Sequence, residues 1–89
     1  MANDIIDAIM DRFNDFNMYF QHFDESGYDF HIIYNTYHHD KYVGEIIFYD
    51  TFLTFRYTNF IDNYFTVCYD DLDIDVLVGL FLCEVYYGS

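Results

Sequence analysis

Between Asp4 and Phe20 two classes of residue recur at steps of three and four. Ile5, Ile9, Phe13, Phe16 and Phe20 form one set, and Asp4, Asp7, Asp11 and Asp15 form the other. At 100° per residue the two sets point in nearly opposite directions, as on an amphipathic helix. The spacing predicts a helix from about Asp4 to Phe20, with Asn3 as its N-cap and Asp4 and Asp7 near its positive end.

The middle of the chain changes period. Tyr28 to Tyr34, Tyr42 to Tyr49, Thr51 to Thr58 and Tyr64 to Tyr69 read as four strands. Asn35 to Asp40 is a polar connection with His38 and His39 at its tip, and Asp50 marks a tight hairpin. Period-two sorting places Phe30 and Ile32 with Ile46, Phe48, Leu53, Phe55, Phe65 and Val67 on one side. It places His31, Glu45, Thr54, Arg56 and Thr66 on the other, as expected of a half-solvated antiparallel sheet.

Val76 to Tyr87 fits either a buried strand or a helix, and twelve residues without a turn signal favour the helix. Asp70 or Asp71 serves as its cap, Asp73 and Asp75 suit its first turn, and Gly88 ends it. Gly79 disfavours that helix by about 1 kcal/mol relative to alanine. Such a helix is apolar nearly all round, so it needs a neighbour besides the sheet: the first helix or a second copy of the chain. The order predicts one α+β domain over residues 1–89: an N-terminal helix, a four-stranded antiparallel sheet and a C-terminal helix, with the helices on one sheet face.

Charge narrows the function. Sixteen acidic residues stand against Arg12, Lys41 and Arg56, for a net charge of −13. Direct binding to nucleic acid or to an anionic membrane needs clustered Lys and Arg, so neither is expected. At 54% hydrophobic and 25% aromatic the chain is no disordered acidic tail, and some of its tyrosines are expected at the surface. An AT-rich genome would enrich Phe, Tyr, Ile and Asn but also Lys, of which there is one, so the lack of positive charge reads as selected. Met1-Ala2-Asn3-Asp4 lacks the features of a secretory signal, and the longest apolar stretch, Val76 to Cys83, is far shorter than the ~20 residues of a membrane span. A cytoplasmic protein with Cys68 and Cys83 reduced and buried is the expectation.

No catalytic or metal-binding motif emerges. Asp71-Leu72-Asp73-Ile74-Asp75 opens like a calcium-binding EF-hand loop, yet Val76 and Leu82 occupy the positions where that loop needs Gly and Glu. His22, His31, His38, His39, Cys68 and Cys83 show no CxxC, HxxxH or HExxH spacing, so no metal and no cofactor is expected. A Cys68–His31 nucleophilic pair lacks the electropositive setting that makes a thiolate. Carboxylates lie so densely along the chain that no pair stands out as acid and base. The chain is not expected to be an enzyme.

The acids themselves carry the strongest functional signal. Four positions on one helix face are Asp, a poor helix former, with no Lys at i+4 to relieve their repulsion. Further acids gather at Asp24, Glu25 and Asp29, and again at Asp70, Asp71, Asp73 and Asp75. A domain of this size needs a net charge of only ~2–8 in magnitude for solubility. The helix stripe places a charge about every 5–6 Å, against ~3.4 Å along one DNA strand. Carboxylates accept hydrogen bonds from Arg and Lys much as phosphates do.

In size, acidity, aromatic content and compact α+β reading, the whole chain resembles the small acidic inhibitors that phages and mobile elements encode against bacterial defence nucleases. These are the anti-CRISPR proteins and the anti-restriction DNA mimics. The resemblance implies a non-enzymatic inhibitor in the bacterial cytoplasm, partnered by a basic nucleic-acid-binding protein such as a CRISPR effector nuclease. In a Cas9-type target, the arginines that read the PAM would face the Asp row. Asp4, Asp7, Asp11 and Asp15 are the first candidate partner-binding residues. Asp70, Asp71, Asp73 and Asp75 come second, with Asp24 and Glu25 beside them. The alternative is a structural or assembly protein that dimerises through the apolar C-terminal helix and surface tyrosines.

Overall fold

A computed structural model of the chain describes residues 2–23, 29–36, 39–57 and 64–87. Helix α1 (Ala2–Asn14) leads into five strands, β1 (Met18–Phe23), β2 (Asp29–Asn35), β3 (Lys41–Phe48), β4 (Phe52–Tyr57) and β5 (Phe65–Cys68). A 3-10 turn (Tyr69–Asp71) then precedes helix α2 (Ile74–Tyr87). The strands form one antiparallel sheet in sequence order, each hydrogen-bonded to the next. The class is the expected α+β, with five strands where four were predicted.

The additional strand comes out of the predicted first helix. That helix stops at Asn14, and Asn17 adopts a left-handed backbone with φ 64°, which Asn tolerates better than most residues. Asn17 O then accepts the backbone N–H of Thr36 at 2.9 Å, and this starts the β1–β2 pairing. Phe13 and Phe20 still meet, with ring centroids 5.1 Å apart, because the turn folds β1 back over the helix. Their seven-residue spacing satisfies a helix on paper, but they reach the core from two different elements. At the other end α1 begins at Ala2, so Asn3 lies within the helix rather than capping it.

Register decides the sheet faces. His31 pairs with Ile46 and Ile33 with Gly44, so His31, Ile33 and Asn35 line the side that carries the core. Phe30 and Ile32 therefore face the opposite way, reversing the expected sorting of this strand. Apolar residues occupy both parities of Phe30-His31-Ile32-Ile33-Tyr34, so alternation could not fix its face. A bulge after Ile33 leaves Val43 unopposed, and four consecutive residues of β3, Val43 to Ile46, are buried.

Both helices cover the same side. Ile9 and Phe13 of α1 and Leu77, Val78 and Phe81 of α2 are buried with Met18, Ile33, Ile46, Leu53, Phe55 and Tyr57 of the sheet. Phe81 is the meeting point, its ring 5.3 Å from Phe13 and 5.1 Å from Tyr57. Gly44 makes this approach possible, because a Cβ there would lie 2.7 Å from the Phe81 ring and closer still to the Arg56 carbonyl. The β3–β4 hairpin is tight, as expected, with Tyr49 N–H donating to Phe52 O at 2.9 Å. The predicted ends of α2 need adjustment. Asp73, rather than Asp70 or Asp71, is the cap, its Oδ1 accepting the backbone N–H groups of Asp75 and Val76 at 3.0 and 3.3 Å. Gly88 and His38 lie outside the described residues.

Candidate functional site

Asp4, Asp7 and Asp11 project from the face of α1 opposite to Ile9 and Phe13, and all three are exposed. Among the described residues none of them has a basic partner within ion-pair distance. Asp15, predicted as the fourth member of the row, lies instead in the turn after the helix. It is also paired, accepting from Arg12 Nη1 at 3.3 Å. The uncompensated row on α1 is therefore three aspartates long and spans roughly 10 Å at 1.5 Å per residue.

Arg12 does more than shield Asp15. Its Nε donates to Asp75 Oδ1 at 2.7 Å, linking α1 to the first turn of α2 across 63 positions of sequence. The guanidinium also lies 5.1 Å from the centroid of the Phe16 ring. The hydrogen bond and charge of Asp75, then those of Asp15, hold Arg12 above its ordinary pKa. Ala8 and Arg12 of α1 thus line one groove, about 470 Å³ in volume, with Leu72, Asp73, Ile74 and Asp75. Asp70 and Asp71 are exposed on the 3-10 turn immediately before it. The two acidic segments that the sequence separates are adjacent in the fold, with one cation between them. Asp24 and Glu25 lie outside the described residues.

A second charged group sits on the side of the sheet that, among the described residues, no helix covers. Glu45 is 3% exposed, and its Oε1 accepts hydrogen bonds from Arg56 Nε and from the Tyr42 hydroxyl, the latter at 3.2 Å. The Arg56 guanidinium lies 4.9 Å from the Tyr64 ring centroid. Burial first, and then the charge of Glu45, push the Tyr42 hydroxyl up to about 12. Sequence parity placed Glu45 and Arg56 on the open side correctly. It did not anticipate that long neighbours would close over the carboxylate. Tyr19 and Tyr34 stack on the same side, 5.4 Å apart, and Tyr19 and Tyr64 are exposed as expected.

The histidines and cysteines depart from expectation. Cys68 and Cys83 are free and exposed, not buried. Cys68 pairs with Phe52 on the open side of the sheet, whereas His31 lines the covered side, so they form no nucleophilic pair. His31 instead meets Asp29 and His22, whose ligand atoms lie within 4.8 Å of one another. Burial lowers the pKa of His31 and outweighs the opposing pull of Asp29. A search for sequential metal motifs misses this trio because a strand pairing assembles it. The available signal was Asp29-x-His31 on one predicted strand with His22 shortly before it.

Comparison with protein-family models, with curated proteins and with solved structures finds no match. Among the described residues no helix is long and apolar enough to cross a membrane.

Proposed function

We propose that this protein is a non-enzymatic inhibitor that seats its acidic face in the basic nucleic-acid-binding site of a nuclease and blocks substrate access. One observation carries the reading: Arg12 bridges Asp15 and Asp75, so the acids at the end of α1 and at the start of α2 lie side by side on a packed scaffold. Asp4, Asp7, Asp11, Asp70 and Asp71 are exposed, and Asp73 and Asp75 line the groove between the helices. Carboxylates held on helices present fixed acceptors to Arg and Lys, and their field accelerates encounter with a cationic cleft. The net charge of −13 exceeds what solubility asks of so small a domain. A CRISPR effector or a restriction nuclease in the bacterial cytoplasm is the target class this chemistry fits.

Competition binding tests it. CRISPR effectors and restriction nucleases are titrated with labelled nucleic acid in the presence of the protein, at low and at high salt. The wild-type chain should displace nucleic acid from its target, and displacement should weaken steeply with ionic strength. Replacing Asp4, Asp7, Asp11 and Asp15 together by Asn should weaken it at least about tenfold, or ~1.4 kcal/mol, with the fold intact. Displacement by that variant as strong as by wild type would discard the α1 surface.

Self-association is the second reading, favoured by two apolar side chains on the outer face of α2. Val76 is 57% exposed and Leu80 42%, and they border a groove with Phe55, Val67, Leu72 and Leu77. Light scattering over a range of concentrations separates the readings, since a strict monomer leaves only the acidic face.

A further inference from the structure

We propose that His22, Asp29 and His31 form a binding site for a divalent transition-metal ion of the zinc type, clamping edge strand β1 to β2. The proposal is independent of the acidic face, with which it shares no residue. Strand geometry builds the trio: His22 pairs with His31 across the β1–β2 ladder, and Asp29 precedes His31 by two positions, so all three side chains stand on one side of the sheet. The two imidazoles stack with centroids 4.7 Å apart and planes 30° from parallel. Their Nε2 atoms converge on a single carboxylate oxygen, with Asp29 Oδ1 lying 2.8 Å from His31 and 3.3 Å from His22.

Those separations are close to what an ion requires. Zinc bound at about 2.1 Å to each of three tetrahedral ligands holds the donor atoms roughly 3.4 Å apart. All candidate ligand atoms here already lie within 4.8 Å of one another, so small side-chain rotations close the set. Phe20 and Phe48 pack edge-on against the His31 ring, at 5.6 and 5.4 Å, and close one side of the site. His31 is 6% exposed and its Nδ1 has no hydrogen-bond partner, so its polar interactions are directed into the trio. His22 is exposed and Asp29 half-buried, so two of the three ligands are accessible to an incoming ion. Two imidazole nitrogens and one carboxylate suit Zn²⁺, Co²⁺ or Ni²⁺. They suit Ca²⁺ and Mg²⁺ poorly, because those ions take six or more oxygens or keep their water.

Calorimetric titration of the full chain with zinc chloride, at an ionic strength high enough to screen surface carboxylates, tests the site. Wild type should take up one Zn²⁺ per chain, and His22→Gln and Asp29→Asn should each bind at least about tenfold more weakly. Zn²⁺ should raise the melting temperature of the wild type and leave that of His22→Gln unchanged, while Ca²⁺ and Mg²⁺ do neither. The proposal is overturned if wild type shows no saturable uptake of Zn²⁺. It is equally overturned if both variants match wild type in stoichiometry and affinity, or if Ca²⁺ binds as well as Zn²⁺, since the ion would then reside among other groups.

Discussion

The two sides of the sheet solve the same packing problem differently. On the covered side Gly44 gives up its side chain so that Phe81 can rest against the strands, and the contacts around that ring are apolar, with His31 and Asn35 buried further along β2. On the open side Glu45, next to that glycine in sequence, is buried although no helix of the described residues lies above it. Arg56 and Tyr42 cover it and hydrogen-bond to it, and Tyr64 lies against the guanidinium. One side excludes water with a layer of secondary structure, the other with long side chains whose polar ends pair. The first arrangement is sensitive to lost volume and the second to a lost partner.

The largest effect that would sharpen this contrast is expected at the helix–sheet contact. Phe81→Ala should cost about 3–5 kcal/mol in urea unfolding, the range for truncating a fully buried aromatic ring. Arg56→Met should cost about 3 kcal/mol, at the low end for breaking a buried ion pair because Arg56 is partly wet, and it leaves Glu45 without its cation. Adding Glu45→Leu to Arg56→Met should recover most of that loss. A double variant no more stable than the single one would mean that the open side is held by packing and not by pairing, and the contrast would collapse.

The two glycines offer a milder test. A Cβ at Gly79 meets nothing within 4 Å, in contrast to Gly44, so Gly79→Ala should raise stability by about 0.5–1 kcal/mol through helix propensity alone. An unchanged or lowered unfolding midpoint would count against a regular α2. A further test comes from pH. The Tyr42 phenol ionises near 10 in the unfolded chain and at about 12 in the fold, so the fold favours its neutral form. Its contribution is complete below a pH of about 10 and is lost as the pH rises toward 12. Tyr42→Phe should therefore flatten that part of the stability profile relative to wild type, and profiles that stay parallel would separate Tyr42 from Glu45.

The candidate sites were legible in the sequence to different degrees. Asp4, Asp7 and Asp11 stand on one exposed helix face because three- and four-residue spacing is a local property of a helix. Asp15 fell outside the row because the end of the helix depends on Asn17, whose backbone is drawn into the β1–β2 pairing. Neither the Arg12–Asp75 link nor the His22–Asp29–His31 trio has a local signature, since each joins residues that only folding brings together.

The sequence by itself determined the α+β class, β2 to β5 to within a residue or so and the excess of negative charge, and it favoured a helix over a strand for α2. Periodicity, turn chemistry and composition act over a few residues, so a linear reading captures them. The tertiary structure alone decided where α1 gives way to β1, which face of β2 is buried and which acids meet Arg12. Those outcomes depend on strand register and on contacts between distant segments, where a shift of one residue turns every side chain of a strand to the other side.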